Sequence, residues 1–443
     1  MQKNFKVLIS IGLLLQSLFA FTQVNSPYSR LGLGNYTYPS YAGQHGMAGV
    51  TNSLFLANDI SYQNPASYSF LLKTNLDVGI AFRVNDISQG NESTVTTDGN
   101  INYLAFGFSP DNSRSRHDYG FSLGIVPYSL YQYQIQTESA NTDTLLGIQD
   151  YEYTGDGGIL KAYLGFAYSY GFGYDSLKKS YKNTLGVGIN TGYLFGRLNN
   201  KTVTTFPDEV NSVSTKLLRE TDMGGGFIDF GLAYQAKIGK MYSLNIGLSG
   251  NPSYRVDGSE SLSWFNINKT GDAETITDTL YFSPDSAGVV VLPSQFHFGV
   301  SWNNYRRSGL DAARWLVAAE YSQLNWDQYR GFQYSDSLLA NYRLKFGAEF
   351  LPPRKSKIGE SKLPIAYRAG FYYGTSYLEI YDQQLKEFGI TFGIGLPARG
   401  SKINLAFQYG SRGSGDLLKE NIYNFYLGFN LFDANWFYKR KLN

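Results

Sequence analysis

No cysteine occurs in the chain. That excludes disulfides, a thiol nucleophile and the lipid-anchoring cysteine of a lipoprotein. Histidine is limited to His45, His117 and His297. No H-E-x-x-H pair and no Gly-x-Ser-x-Gly elbow is found; residues 412–415 fail the latter at its first position. Residues 186–192 have the wrong glycine spacing for a dinucleotide fingerprint. His297 alternates with Gln295, Gly299 and Ser301, but no nucleophile or water-activating partner for it can be read from the sequence. The expectation is therefore a non-enzyme with no cofactor and no metal. After residue 21 no second long apolar run follows, which excludes a helical membrane protein beyond that point. A net charge of +2 is too small to argue for a nucleic-acid partner.

At the N-terminus, Lys3 and Lys6 precede a short apolar run over residues 7–21, with Ala20 and Thr22 near its end. The run is short for a membrane span and no stop-transfer charges follow. Residues 1–22 read as a signal peptide, cleaved between Ala20 and Gln23. The mature chain thus leaves the cytoplasm without disulfides to stabilise it.

Aromatic residues and glycine are abundant: 37 Tyr, 30 Phe and 48 Gly, against a mean hydropathy that is slightly negative. A transmembrane β-barrel has this make-up, because only every other residue faces lipid. The alternation is explicit. In residues 74–84, Leu76, Val78, Ile80, Phe82 and Val84 share one face, and Asp77, Gly79, Ala81 and Arg83 the other. It recurs at 119–135, 160–172, 185–195, 228–238, 242–248, 296–302, 315–321, 342–350, 367–373, 388–396, 403–409 and 423–431, and more weakly at 102–108. That is about fourteen strands, an all-β antiparallel barrel in the outer membrane over residues 74–432, with a periplasmic tail at 433–443.

Connections alternate short and long. The long ones, 84–100, 137–157, 198–223 and 252–293, sort to the outer side if the first strand runs outward. The short ones carry basic residues such as Arg116, Lys178, Arg306, Arg354 and Lys402, suited to lipid headgroups. Trp302, Trp315, Trp326 and Tyr329 near strand ends suit an interfacial aromatic girdle. Within residues 252–293, Trp264, Phe265 and 288–292 either line an outer apolar pocket or form the outer end of an extended strand. The strand faces opposite lipid point Asp77, Arg83, Lys161, Asp229, Glu320, Arg343, Lys345 and Glu349 into the lumen, where ion pairing is the plainest role.

Residues 23–73 do not alternate, yet their apolar content (Leu31, Leu33, Met47, Val50, Leu54, Phe55) argues for folding into the lumen as a plug. Gly46, Met47, Ala48, Gly49 and Val50, then Asp59 and Asn64, Pro65 and Ala66, resemble the plug signature of the FadL-type transporters of fatty acids and aromatic hydrocarbons, particularly those of Bacteroidetes. Residues 26–30, 155–165, 193–196 and the ending 436–441 add to the likeness, and position 48 departs from the commoner glycine. The resemblance implies a fourteen-strand barrel with a plug or gate built around Gly46, Met47, Gly49, Asn64, Pro65 and Ala66. It implies a monomer that takes up a hydrophobic small molecule by passive diffusion and releases it sideways into lipid through a kinked third strand. Pro127 lies in that strand; it either breaks the ladder within the wall or sits clear of it at the rim. The alternative function is a scaffold for secreted proteins, as in relatives of the type IX system.

Overall fold

The computed structural model describes residues 26–110, 115–140, 148–176, 180–206, 213–239, 241–271, 273–304, 314–332, 337–353, 364–398, 401–413 and 418–433. The expected signal peptide, the tail from 434 onward, and Lys178, Arg306 and Arg354 of the short turns lie outside the described residues.

In chain order the strands are β1 (Asn35–Tyr36), β2 (Thr74–Gln89), β3 (Glu92–Phe108), β4 (His117–Leu130), β5 (Tyr133–Ala140), β6 (Ile148–Asp175), β7 (Ser180–Thr205), β8 (Ser214–Ile238) and β9 (Tyr242–Asn251). They continue with β10 (Tyr254–Thr270), β11 (Ala273–Leu292), β12 (Gln295–Asn303), β13 (Arg314–Leu324), β14 (Asn341–Leu351), β15 (Ala366–Ile380), β16 (Gln383–Ala398), β17 (Ser401–Arg412) and β18 (Lys419–Asp433). Fourteen of them form one closed antiparallel ring, as the alternation led us to expect. β18 returns to pair with β2, from Asp433↔Thr74 to Lys419↔Ser88, so no edge is left at the seam of first and last strands. β1, β5, β10 and β11 lie outside the ring.

The barrel is inside-out relative to a soluble protein. Large apolar side chains of alternate residues face outward, with Leu164 63% and Phe392 55% exposed, while the charged Lys345 and Glu320 of the inner face are each 3% exposed. A continuous apolar outer belt over a polar interior is stable only in lipid, which places the ring in a membrane.

The described residues of the long outer connections are mostly strand. β2 and β3 run straight through residues 84–100 and turn at Gly90, whose φ is +60°. β6, β7 and β8 have 28, 26 and 25 residues, where a membrane crossing takes about 9–11. The excess stands beyond the membrane. Residues 252–293 form the β10–β11 hairpin, which extends this tall sheet by pairing β10 with β8. The sequence pattern faded there for a physical reason. Above the membrane both faces are wet, so Thr, Ser and Asn replace the outward apolar residue while the backbone ladder continues.

Candidate functional site

Residues 26–73 thread the lumen; most are buried, the rest half-buried, and Arg30 is exposed. Pro27–Arg30 forms a 3-10 turn capped by Ser26, a single helical turn α1 spans Ala42–His45, and a second 3-10 turn spans Pro65–Phe70. Asn64 caps that last turn by accepting from the Ala66 N–H at 3.1 Å, and Pro65 supplies the fixed φ of a first helical position. The Asn64 amide also donates to the Asn52 carbonyl at 2.9 Å and to the Leu232 carbonyl of β8 at 3.0 Å. One side chain thus ties two plug segments to the wall. Gly247 on the wall passes so close to Asn52 that an added Cβ would overlap its carbonyl oxygen.

The turn at 46–50 is held as tightly. Ala48 sits at φ +58° and Gly49 at +70°, a conformation that costs a non-glycine residue about 1 kcal/mol or more. Thr391 of β16 fixes it, accepting from the Ala48 N–H at 2.8 Å and donating to the Gly46 carbonyl at 3.1 Å. Met47 packs with Val50, Leu54, Leu316 and Ala318.

The expected lumen charges all face inward, and four of them, Asp229, Glu320, Arg343 and Lys345, contact the plug directly. Glu320 accepts from the N–H groups of Thr51 (2.7 Å) and Asn52 (2.8 Å) and pairs with Lys345 at 2.9 Å; Lys345 also donates to the Gly49 carbonyl at 3.1 Å. Lys161 pairs with Asp229 at 3.4 Å, and Asp229 accepts from Tyr62 (2.9 Å) and Tyr254. Arg343 pairs with Glu387 at 2.5 Å and stacks over the plug residue Tyr38, 3.6 Å from its ring centre. Glu349 holds Arg368 at 2.6 Å, Asp77 accepts from Asn430 at 2.9 Å, and Arg83 reaches Asn424 at 2.8 Å and Asp98 at 4.0 Å.

Five further charged residues of the lumen network were not expected from the sequence: Asp98, Arg368, Glu387, Arg412 and Glu420. Arg368 lay within a recognised strand, on the polar face. The others lay at or past the ends assigned to their strands. Arg412 donates to Glu420 at 2.6 Å, to Asn35 at 3.1 Å and to Ser26 at 3.0 Å, fastening the plug's first residues to β17 and β18.

Pro127 lies where the wall changes partner. The β3–β4 ladder comprises only Leu104–Phe108 against Phe121–Ile125, whereas β2 and β3 stay paired out to Gln89 and Glu92. Past Ile125, β4 turns into the lumen. Its rungs with β6 slip by one residue between Pro127 and Ser129, and Ser129 and Leu130 pair with β1 of the plug. Thr37 completes the switch, donating its hydroxyl to the Pro127 carbonyl (2.6 Å) and its N–H to that of Tyr128 (3.0 Å). Gly157, at φ +124°, lets β6 follow the bend and accept from the Tyr131 N–H at 3.0 Å.

Three of the larger spaces among the described residues adjoin the plug. An outer cup of about 390 Å³ lies between plug residues Leu31 and Leu33, the wall residues Leu198 and Met223, Val290 of the outer hairpin and Phe332, with Arg219 and Glu260 also lining it. A polar lumen cavity of about 130 Å³ lies against β2, β3 and β16–β18. The third, about 460 Å³, lies below the plug between Phe55, Leu56, Leu351 and Phe432. Among the described residues, no group of three His, Asp or Glu side chains is placed to hold a metal.

A family model described as BamG matches residues 1–443. No curated protein matches the chain. Among solved structures, one of the P. putida toluene transporter TodX aligns at a TM-score of 0.53 and 14% identity, covering 89% of this chain and 99% of that one. A second structure of Pseudomonas putida TodX gives 0.50 and 14%, covering 93% and 100%. The Ralstonia pickettii toluene transporter TbuX gives 0.47 and 13%, covering 89% and 99%. At these identities the TodX likeness is one of fold, the same fourteen-strand barrel.

Proposed function

This chain belongs to the BamG family, and we propose that it is an outer-membrane channel for hydrophobic small molecules, of the fatty-acid or aromatic-hydrocarbon kind, passing them by diffusion from the outer cup past the plug and out through the wall. The observation that carries this reading is the short β3–β4 ladder, ending at Leu104↔Ile125 while β4 bends inward to the plug. A wall that stays paired on every rung offers no sideways exit; this one stops pairing partway up. The apolar side of the outer cup (Leu31, Leu33, Leu198, Met223, Val290) supports an apolar entry, and the aromatics of the adjoining core (Tyr36, Tyr128, Tyr131, Tyr254, Trp326) support a path that tolerates rings. Pro127 and the plug residues Gly46, Met47, Gly49, Asn64, Pro65 and Ala66 are the elements that would set its opening. The working unit in this reading is a monomer in lipid.

One observation favours the second reading, a scaffold for secreted proteins. The plug is fastened through Glu320–Lys345, Arg412–Glu420 and the Asn64 amide together, which suits a barrel that stays sealed. Native mass spectrometry of protein extracted gently from its own membrane separates the two. Transport expects a retained apolar molecule, lost in Pro127→Val, together with reduced uptake of labelled palmitate by a host with an intact outer membrane. An empty barrel carrying a protein partner, with uptake unchanged in Pro127→Val and the barrel still assembled, rejects it.

A further inference from the structure

We infer that the break between β3 and β4 takes in the polar head of an amphipathic lipid from the outer leaflet, leaving its acyl chains in the bilayer. The inference rests on the lateral opening in the reading above and changes what crosses it.

The ladder ends at Leu104, and β3 continues outward for twelve more residues, to Glu92. That is roughly 40 Å of strand along which β4 and β5 have moved away toward the plug and β6. Behind this seam lies the lumen cavity of about 130 Å³, room for on the order of ten waters. Asn100 and Asn102 of β3 and Leu130 of β4, from the two sides of the seam, line it. So the cavity reaches the break itself.

Its lining is polar. Arg343 with Glu387 and Arg412 with Glu420 are set around it, with Asn424, Gln408 and His45. A hydrocarbon in this space would displace water from guanidinium, carboxylate and amide groups and return no hydrogen bond. A phosphate, amine or sugar head would replace the water with like interactions. The cavity carries both signs of charge in fixed positions, matching a head with both donors and acceptors. On the outer surface beside the break, Ile101 and Leu104 are exposed and apolar, as acyl chains require. The Asn102 amide, hydrogen-bonded to the Ser40 carbonyl (3.4 Å) and the His45 ring (3.3 Å), links the seam to the plug.

The test uses the full mature chain in nanodiscs of palmitoyl-oleoyl-phosphatidylethanolamine and phosphatidylglycerol, released into detergent for native mass spectrometry, with palmitate added as competitor. The expected result is one phospholipid retained per barrel, with occupancy falling at least tenfold in Asn100→Leu/Asn102→Leu and in Leu130→Trp, which crowds the seam from the β4 side. Heat-modifiable gel mobility checks that each variant still forms a barrel. Phospholipid occupancy equal in wild type and both variants overturns the inference, as does retention of palmitate with no phospholipid. The reading as a channel fails separately, by absence of palmitate uptake in cells, whatever the lipid occupancy.

Discussion

Glu320→Ala should unlatch the plug without destroying the barrel. In the native protein, Glu320 accepts two plug N–H groups and neutralises Lys345, and both side chains are buried. Removing one partner of a buried pair costs about 3–5 kcal/mol, because the other charge stays behind unpaired. The two stranded N–H groups of Thr51 and Asn52 each add a desolvation cost of about 1–3 kcal/mol unless water reaches them. Taking about 3–4 kcal/mol as the loss in docking, the undocked population rises about 10²–10³-fold, since each 1.4 kcal/mol is a factor of ten. A chain without cysteine offers a clean reporter. Ser61 is buried in the plug, its hydroxyl donating to the Thr51 carbonyl at 3.0 Å. In a Ser61→Cys background, maleimide labelling should accelerate by that factor in Glu320→Ala, and the added Lys345→Met should return part of the loss by removing the unpaired charge. A labelling rate within threefold of the parent, in a variant of normal heat-modifiable mobility, would refute the latch.

Gly247→Val should also raise Ser61→Cys labelling, because its side chain occupies the position of the Asn52 carbonyl; Gly226→Ala, whose nearest neighbour is 3.9 Å away, should leave it unchanged. Arg412→Lys keeps the charge but loses the forked contacts to Glu420, Asn35 and Ser26, so trypsin cleavage after the exposed Arg30 should quicken several-fold. In the outer hairpin, burial works to raise the Glu274 pKa, but hydrogen bonds from Lys216 and Lys201 outweigh it and hold the carboxyl below its ordinary 4.5. A depressed carboxylate stabilises the folded form above its ordinary pKa and loses that contribution as pH falls through the lower folded value. Protease nicking of the β10–β11 hairpin should therefore rise as pH drops below 4.5, with Glu274→Gln showing little pH dependence over the same range.

The barrel was legible in the sequence because its signal is local. Residues two apart share a face, so Leu76, Val78, Ile80 and Phe82 announce a lipid face and Asp77 and Arg83 a lumen face without knowledge of any partner strand. Strand number followed from repetition of that pattern, and the plug from fifty residues that lack it. The inner orientation of Lys161, Asp229, Glu320, Lys345 and Glu349 followed from the same parity. Where both strand faces meet water, as at residues 92–100 and 198–205, parity carries no hydrophobic contrast, and the sequence reading stopped short of the strands' true ends.

What the charges hold was decided only in three dimensions. Glu349 lies nineteen positions from Arg368, and Ser26 lies 386 from Arg412; these distances close because the ring fixes the register of neighbouring strands and the plug threads a particular path between them. Pro127 marks a strand that cannot complete its ladder, but the proline is silent on where the strand goes instead. Its turn onto Asn35 and Tyr36, and the polar cavity this leaves behind β3, arise from the packing of plug against wall, a balance of long-range contacts that no local pattern encodes.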